Sequence, residues 1–369
     1  MLAGVADIVP VAELAATPQD AAWHAEGDVW THTQMALDEL VRLPGYQAAD
    51  PHARSILEAA VLLHDLGKPA MTRIEGDRVT SRGHSAKGEH LARVAMWRAG
   101  VPFADREHVC ALVRAHQVPM FGITRADARE LAIRLSLVTR NDWLAIVAEA
   151  DARGRRCADP ADQARIVDHC ALWAEHCREL GVLDRPQRFA DAHTRRTWLT
   201  SPGRSPEVAA FDDTTCEVTL LAGLPASGKS TWLAAHRELP VVSLDDIRSD
   251  HGVDAGDTPG EVIAAAREQA RGYLRTGTAF AWNATNLTAA LRRQLVTFFE
   301  GYRARAHIIY LEIAAADLAA RNRGRPSPVP EGVLERMLGR WAVPDPTEAH
   351  RVEHVISATP VRYPWPPTP

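Results

Sequence analysis

The sequence predicts two domains of different class, an all-α helical bundle followed by an α/β domain with a mainly parallel sheet. Apolar residues recur at helical spacing over most of residues 20–180. Residues 200–207 are polar and broken by Pro and Gly, and short apolar runs alternate with helical stretches from residue 216 onward. Strand alternating with helix is typical of a parallel sheet with right-handed crossovers. We therefore assign residues 1–198 to the first domain, 199–215 to a linker, and 216–369 to the second domain with its Pro-rich tail.

Individual elements follow from the same patterns. In the first domain, apolar spacing predicts helices over residues 55–66, 91–99 and 106–116, and residues 71–80 predict a short hairpin with Glu-Gly-Asp as its turn. In the second domain, strands are predicted at residues 217–222, 240–244, 279–283 and 307–312. Helices are predicted at residues 230–237, 258–275, 287–302 and 317–322.

Composition limits the class of protein. With 369 residues, a formal net charge of −5 and a pI of about 6.3, the chain is not a uniformly basic nucleic-acid coat, although a local groove can still be basic. No apolar run reaches the ~18 residues of a membrane span. The first residues lack the basic and apolar regions of a signal peptide. The five cysteines form no Cys-x-x-Cys pair, so we expect reduced thiols in a cytoplasmic protein with no membrane partner.

A complete P-loop follows the first predicted strand of the second domain. Residues 223–231 read Gly-Leu-Pro-Ala-Ser-Gly-Lys-Ser-Thr between an apolar strand and a helix, which is the context that this motif requires. Backbone N–H groups of such a loop bind phosphates, its lysine reaches the β- and γ-phosphates, and the following hydroxyl binds Mg²⁺. We predict a site for ATP or another NTP, with Mg²⁺ on Ser230. The predicted nucleotide-binding residues are Gly223, Leu224, Pro225, Ala226, Ser227, Gly228, Lys229, Ser230 and Thr231.

Charged residues follow the later strands of the second domain. Asp245 and Asp246 end the second strand, where a carboxylate can accept the proton of an attacking hydroxyl and Arg248 can hold an anion beside it. The alternative is a helix N-cap with a local ion pair. Residues 321–325 read Arg-Asn-Arg-Gly-Arg, which is either a lid over the donor phosphates, as in small P-loop kinases, or a solvated basic turn. The candidate catalytic residues are Lys229, Asp245, Arg248, Arg321 and Arg325.

These motifs resemble those of polynucleotide 5′-kinases. The likeness covers about residues 216–345 and lies in residues 223–232, 245–248, 285–287 with Arg292 and Arg293, and 321–325. It implies that Asp245 is the general base, that Arg248 contacts a phosphate of the acceptor, and that Arg321 or Arg325 is the lid arginine. Some members carry an aspartate in the third-strand motif, where this chain has Asn283 and Ala284, so the role of that motif stays open.

Histidine and aspartate residues are spaced through the first domain in a pattern that predicts a metal centre. Imidazole and carboxylate together suit a transition metal such as Mn, Ni, Co, Zn or Fe better than Ca²⁺. Adjacent His64 and Asp65 point in different directions, so one can bind a first ion while the other bridges to a second. Six ligands suffice for two ions about 4 Å apart. The candidate ligands are His32, His64, Asp65, His84, His116 and Asp151.

Other histidines of the first domain are interpreted as ordinary helix residues, namely His24, His52, His90 and His108. His24 and Glu26 nevertheless lie close enough before His32 to line the pocket.

The order of the six ligands resembles that of HD-domain phosphohydrolases over about residues 20–180. Residues 63–69, 83–84, 113–116 and 150–152 are especially similar to the HD domain of bacterial tRNA nucleotidyltransferases. Members of that family open 2′,3′-cyclic phosphates. Single-metal HD domains can lack counterparts of His84 and His116.

Together, the two motif sets resemble bacterial bifunctional end-healing enzymes with an HD phosphoesterase and a polynucleotide kinase. The resemblance implies phosphorylation of 5′-hydroxyl RNA or DNA ends and removal of 2′,3′-cyclic, 2′- or 3′-phosphates. A separate ligase would then act on the healed ends. Two alternatives stay open: a small-molecule nucleoside or sugar kinase fused to a nucleotide phosphohydrolase, and a nucleotide-sensing regulator.

Overall fold

The computed structural model describes residues 2–76, 78–201, 203–250, 252, 260–361 and 363. The chain divides into two units, with the boundary between Gln187 and Arg188. The first unit is a helical bundle and the second is an α/β domain with a mostly parallel sheet, so the predicted fold class is confirmed. Within the described ranges, no helix has the length and apolar character needed to span a membrane. Of the predicted Pro-rich tail, residues 363–369, all but Tyr363 lie outside the described residues.

Helices dominate the first unit. The predicted hairpin is present as β1 (Arg73–Glu75), paired antiparallel with β2 (Arg78–Thr80). Helices α2, α4, α7 and α10 pack around an apolar core that is rich in Ala, Leu and Val. After a 3-10 turn at Ala6–Ile8, the helices are α1 (Val11–Ala15), α2 (Val29–Leu40), α3 (Pro44–Ala48), α4 (Pro51–Leu63), α5 (Lys68–Met71), α6 (His84–Arg98), α7 (Phe103–Ala115), α8 (Val118–Gly122), α9 (Ala128–Ser136), α10 (Asn141–Gly154) and α11 (Pro160–Glu179).

Helix α4 runs through the centre of the bundle. It begins where Asp50 accepts hydrogen bonds from the backbone N–H groups of His52 and Ala53, with Pro51 at its first position. Its second half, Ala-Ala-Val-Leu-Leu at residues 59–63, is buried on every side, as expected of a helix that is apolar all round. The polar pair that follows, His64 and Asp65, is therefore delivered into the interior of the unit.

The second unit is built on a sheet whose described strands are in the order β4-β5-β3-β6-β7-β8. All neighbouring strands are parallel except β7 and β8, which are antiparallel. The strands are β3 (Cys216–Ala222), β4 (Val241–Ser243), β5 (Phe280–Asn283), β6 (Ala304–Glu312), β7 (Arg351–Ile356) and β8 (Thr359–Val361). The helices are α12 (Ala192–Thr200), α13 (Lys229–Ala235), α14 (Leu244–Asp250), α15 (Gly260–Thr276), α16 (Ala289–Glu300), α17 (Ala315–Arg323) and α18 (Glu331–Leu338).

The strands and helices predicted for the second domain are present with shifted ends, except that residues 258 and 259, at the predicted start of one helix, lie outside the described residues. Strands β7 and β8 and helices α14 and α18 are additional. Strand β7 was not predicted because Arg351 and Glu353 interrupt its apolar pattern, and both side chains lie on the more exposed part of the sheet.

The boundary between the domains falls earlier than residue 198. Helix α12 lies in the second unit, where Arg196 forms two hydrogen bonds with the Glu300 carboxylate, at 2.5 and 3.1 Å. The residues that follow α12 are also in the second unit, and Arg305 on β6 donates to the Thr214 hydroxyl at 2.9 Å. The described part of the stretch predicted as an interdomain linker thus belongs to the second unit, because Arg196 just before it and Thr214 near its end both bind residues of that unit.

Candidate functional site

The six candidate ligands of the first unit meet at one buried centre. Each is exposed by no more than 6% of its surface, which for charged or ionisable side chains requires partners. Helix ends and the turns beside them provide four of the ligands, and the interiors of α2 and α10 provide two. The four are His64, Asp65, His84 and His116, and the two are His32 and Asp151.

Three imidazoles of this centre are held by backbone carbonyl groups. In each case Nδ1–H donates to the carbonyl oxygen three residues earlier in the chain. The pairs are His64 with Val61 (2.6 Å), His84 with Ser81 (2.7 Å) and His116 with Val113 (2.8 Å). A carbonyl oxygen can only accept, so Nδ1 carries the proton and Nε2 of the neutral ring is left to act as a ligand. Metal-binding histidines in proteins are commonly fixed in this way.

The ligand atoms form two triads side by side. In the first triad, His32 Nε2 lies 3.2 Å from His64 Nε2 and 3.1 Å from Asp151 Oδ1. In the second triad, His84 Nε2 lies 3.3 Å from Asp65 Oδ1 and 3.4 Å from His116 Nε2. Within each triad, the ligand atoms all lie within 4.8 Å of one another.

Asp65 joins the two triads. Its Oδ1 faces the second triad, whereas its Oδ2 lies 3.2 Å from His64 Nε2 and 3.8 Å from His32 Nε2 in the first. The same Oδ2 lies 2.7 Å from Lys68 Nζ, which also donates to Gln19 Oε1 at 2.5 Å. A carboxylate with one oxygen toward each triad has the geometry to bridge two ions.

The pKa shifts favour the metal-binding protonation states of His116 and Asp65, whereas that of His64 favours the protonated ring. Burial and the neighbouring imidazoles lower the pKa of His116 to about 3. Burial raises the pKa of Asp65, but the charges of His64 and Lys68 outweigh this effect and hold it well below its usual value. Burial lowers the pKa of His64, but Asp65 and Asp151 outweigh it and leave the pKa raised. Ionised carboxylates and neutral imidazoles are the forms that ligate metal ions, so His64 would have to release its proton in order to bind one.

The donor set fits a divalent metal. Nε2 of His84 and Nε2 of His116 face each other at 3.4 Å, and both rings carry their proton on Nδ1. Two lone pairs at this distance repel each other unless a cation lies between them. His32, His64 and Asp151 would hold one ion, His84 and His116 a second, with Asp65 between them. Nitrogen and oxygen ligands together are typical of transition metals and do not single out one of them.

A segment before α2 places a further carboxylate against the centre. Glu26 Oε1 lies 3.0 Å from His32 Nδ1 and 2.8 Å from His24 Nδ1, and Glu26 Oε2 accepts from the backbone N–H of Arg156 at 2.9 Å. His24 lies in the loop before α2 and not in a helix. Glu26 thus orients the ring of His32 from the side opposite the first triad.

Replacing Glu26 by alanine is expected to weaken metal binding by about 10- to 100-fold, the usual effect of losing a carboxylate behind a metal-binding imidazole. The measurement is a calorimetric titration of metal-free protein with Mn²⁺ or Zn²⁺. Glu13→Ala, the same change at an exposed residue of α1, is the matched control. Equal affinities for Glu26→Ala and the unmodified protein would show that His32 needs no such support.

The P-loop of the second unit begins where β3 ends. Gly223 has a φ of 145°, and a Cβ atom at this position would lie only 2.3 Å from the carbonyl oxygen of Leu311, so no other residue fits. Its N–H donates to Thr285 O at 2.9 Å, which ties the loop to the chain after β5. Gly228, with a φ of 111°, precedes α13. The loop is thus shaped by its own sequence and by both neighbouring strands.

Lys229 closes the loop. Its Nζ donates to the carbonyl oxygens of Gly223 (2.9 Å) and Leu224 (2.8 Å). Burial away from water lowers the pKa of Lys229 to about 8, with Asp245 opposing and Arg325 adding to the shift. Asp245 and Arg325 therefore lie near enough to the P-loop lysine to act on its charge. Among the other predicted loop residues, Leu224, Pro225 and Ser227 are buried, Ala226 has a φ of 64°, and Ser230 and Thr231 are exposed in the first turn of α13.

Asp245 and Arg248 form an ion pair on α14. Arg248 Nη1 lies 2.7 Å from Asp245 Oδ1, and the Asp245 side chain is 76% exposed. Of the alternative interpretation, the local ion pair is present, but neither aspartate is the N-cap, because Ser243 Oγ accepts from the backbone N–H of Asp246 at 3.3 Å and so occupies the capping position. The Asp245 carboxylate is therefore accessible to a ligand although it pairs with Arg248.

The basic segment at the end of α17 is a closed turn. The Asn322 side chain donates to Val329 O at 2.8 Å and accepts from Val329 N–H at 3.0 Å. Arg321 and Arg325 are exposed on this turn, and of these two only Arg325 contributes to the pKa of Lys229.

The motif after β5 has a structural role in this chain. Asn286, with a φ of 45°, donates to Leu221 O at 2.6 Å, and Arg292 donates to Asn286 O at 3.0 Å. Arg292 is fully buried and forms two 2.7 Å hydrogen bonds with the Glu348 carboxylate. These residues hold β3 and the P-loop in place, while Asn283 lies at the end of β5, 3.5 Å from Ser243 Oγ.

Two cations at the metal centre were not predicted. Lys68 follows Asp65 by three residues, and Arg155, which pairs with Asp151, follows it by four. These are the spacings at which side chains meet on a helix, so the sequence did contain the signal.

Comparison with known proteins supports two regions of different type. Residues 29–169 match the HD domain model and residues 218–344 match the AAA domain model, and neither match reaches half of the chain. The chain is 35% identical over 95 residues to the A-adding tRNA nucleotidyltransferase of Deinococcus radiodurans, which is 25% of this chain and 20% of that protein. It is 39% identical over 99 residues to the Multifunctional CCA protein of Halorhodospira halophila, 27% of this chain and 21% of that one. The matches thus span about a fifth of the length of these curated relatives.

Solved structures of kinases are also similar to part of the chain. A protein assigned as a kinase from Chloroflexus aurantiacus has 18% identity and a TM-score of 0.33, covering 40% of this chain and 87% of that one. A gluconokinase from Sinorhizobium meliloti has 17% identity and a TM-score of 0.29, covering 40% and 86%. By the family models, the chain combines a region that matches the HD domain with a P-loop region that matches the AAA domain, and the expected similarity to tRNA nucleotidyltransferases is limited to the two partial matches.

Proposed function

We propose that this chain heals nucleic-acid ends, by phosphorylating 5′-hydroxyl ends with an NTP and by removing 2′,3′-cyclic, 2′- or 3′-phosphates. The observation that carries the proposal is the Asp245–Arg248 ion pair near the P-loop lysine, in the same chain as a centre of two His/Asp triads. The Asp245–Arg248 pair suits an acceptor that carries both a hydroxyl and a nearby phosphate, as the 5′-hydroxyl end of cleaved RNA does. The His/Asp triads suit the phosphate at the other end of the cleaved strand.

The proposed kinase reaction uses the exposed carboxylate of Asp245. The NTP lies with its phosphates on the P-loop, Lys229 contacts the β- and γ-phosphates, and Ser230 binds Mg²⁺. Asp245 accepts the proton of the 5′-hydroxyl as the hydroxyl oxygen bonds to the γ-phosphorus and the bond to the nucleoside diphosphate breaks. Arg325, whose charge already acts on Lys229, faces the charge that develops on the transferred group.

The proposed phosphoesterase reaction takes place at the two triads. Bound divalent ions would supply an activated water and neutralise the phosphate. The chain contributes orientation: backbone carbonyls fix three imidazoles, and Glu26 lies behind the fourth. Lys68 and Arg155 keep the Asp65 and Asp151 carboxylates ionised, and hold them in place before metal binds.

The two activities would prepare both ends of a broken strand for joining. A ligase needs a 5′-phosphate and a free 3′-hydroxyl, so a separate ligase, expected in the same cytoplasmic compartment, would use the products. The direct test is an RNA that carries a 5′-hydroxyl and a 2′,3′-cyclic phosphate, incubated with each divalent metal, with and without NTP. Phosphorylation of free nucleosides or sugars but not of the RNA would instead favour a small-molecule kinase. Metal-ligand variants that change kinase regulation while no phosphate is ever released would favour a nucleotide sensor.

Replacing Arg248 by alanine is expected to weaken binding of the acceptor more than binding of the NTP. A lost charged hydrogen bond to a phosphate corresponds to about 1.5–3 kcal/mol, or roughly 10- to 100-fold in KM for the acceptor. The measurement is steady-state kinetics with each substrate varied in turn. A nucleoside 3′-monophosphate should also be a better acceptor than the bare nucleoside. An increase in the KM for NTP alone would place Arg248 on the donor side and remove the support for a polynucleotide acceptor.

A further inference from the structure

The face formed by α15 and α16 carries an arginine and aromatic cluster that the kinase reaction does not use. The cluster surrounds a surface cavity lined by Arg267 of α15 and by Arg293, Gln294, Thr297 and Phe298 of α16. The guanidinium carbon of Arg267 lies 5.8 Å from the centre of the half-buried Phe298 ring, and that of Arg271 lies at the same distance. A cavity with guanidinium groups and an aromatic ring provides groups for both phosphates and bases.

Two of these arginines carry charges that nothing in the described part of the chain neutralises. Glu268 forms ion pairs with Arg271 and Arg275, at 2.8 and 3.2 Å. By contrast, Arg267 and Arg293 have no hydrogen-bond or ion-pair partner among the described residues, and Arg267 Nε is shielded from solvent. Arg267 and Arg293 line the same cavity from two helices, so their charges add at one place and attract an anion.

The position of the cluster relates it to the acceptor side of the kinase site. Helix α15 packs against α14, which carries Asp245 and Arg248, and its Gln269 is 3.5 Å from Val241 O on β4. Helix α16 begins shortly after β5 ends at Asn283, at the carboxyl end of the strands, with Arg293 in its second turn and Phe298 near its far end. An acceptor strand whose 5′-hydroxyl reaches Asp245 would therefore pass Arg248 and run along this face, away from the carboxyl ends of the strands.

We propose that the cluster of Arg267, Arg293 and Phe298 binds the acceptor strand downstream of its 5′ end. The ligand is a single-stranded polynucleotide. Its backbone phosphates bind Arg267 and Arg293, and a base packs against the Phe298 ring and the neighbouring guanidinium group. This inference rests on the proposed kinase function. It adds that the protein recognises strand length, which a site for the first nucleotide alone would not do.

The test compares a nucleoside 3′-monophosphate with a twelve-nucleotide 5′-hydroxyl RNA as acceptors. Arg267→Ala and Arg293→Ala should each increase the KM for the RNA about 10-fold, the effect of a lost charged hydrogen bond. The KM for the monophosphate should stay unchanged. Anisotropy titrations of labelled RNA should show a salt dependence reduced by about 0.7 in logarithmic slope for each phosphate that the variant no longer binds. Arg351→Ala, at an exposed arginine on β7, removes the same charge from another part of the sheet and should leave both acceptors unaffected.

Phe298→Leu keeps an apolar side chain at this position and should weaken RNA binding. It should not alter the melting temperature of the protein or the KM for the monophosphate. If the unmodified protein phosphorylates both acceptors but the arginine variants have an unchanged KM for the RNA, the cluster does not bind the acceptor strand and the kinase proposal stands. If the unmodified protein phosphorylates neither acceptor, the proposed function fails, and this inference fails with it.

Discussion

Replacing Asp65 by asparagine is expected to abolish metal-dependent phosphate release while 5′-phosphorylation with Mg²⁺ persists. Asp65 is the ligand whose two oxygens face both triads, so its loss affects both metal positions. The metal affinity should decrease by more than the roughly 10- to 100-fold expected when a residue behind the ligands, such as Glu26, is replaced. The measurements are bound metal by elemental analysis and hydrolysis of a 2′,3′-cyclic phosphate.

The matched control is Asp38→Asn, which makes the same change at an exposed position of α2. It should leave metal content and hydrolysis unchanged. Asp65→Asn also removes the carboxylate partner of Lys68, so circular dichroism must show that the helices are intact. A folded Asp65→Asn protein that keeps two metal ions and full hydrolysis would refute the bridging role.

Replacing Asp245 by asparagine is expected to lower kcat for 5′-phosphorylation by about 10²- to 10⁴-fold, the usual contribution of a general base. Binding of NTP should change little, because Lys229 and the loop backbone remain. Steady-state kinetics with the NTP and the acceptor varied in turn provide the measurement.

Asp246→Asn is a stringent control, since the two carboxylates are adjacent and both are exposed. Only Asp245 pairs with Arg248 and acts on the charge of Lys229, so Asp246→Asn should retain most of the activity. Equal losses in the two variants would mean that the negative charge of α14, and not a specific base, supports the reaction. Phosphoester hydrolysis should be normal in both.

The sequence was sufficient where chemistry is encoded in consecutive residues. The P-loop is such a case, because glycine is required at position 223 and the adjoining strand and helix can be predicted from short-range patterns. The apolar spacing of residues 55–66 likewise predicted a helix, which in the structure ends at Leu63, just before His64 and Asp65. Strand β7 was not predicted because Arg351 and Glu353 interrupt its apolar pattern. Helix α12 was assigned to the first domain, whereas its Arg196 pairs with Glu300, more than 100 residues along the chain, in the second unit.

The sequence by itself determined the two fold classes, the P-loop and the identity of the six metal-ligand candidates. Tertiary structure decided how those six residues are arranged into two triads. The triads combine residues from positions 32 to 151, and only helix packing brings Asp65 between them with one oxygen toward each. The same holds for Arg292, which a motif places among kinase residues but which burial and Glu348 make a structural residue. Short-range patterns fix which atoms are available, whereas their distances depend on contacts between helices and strands remote in sequence, which no local pattern encodes.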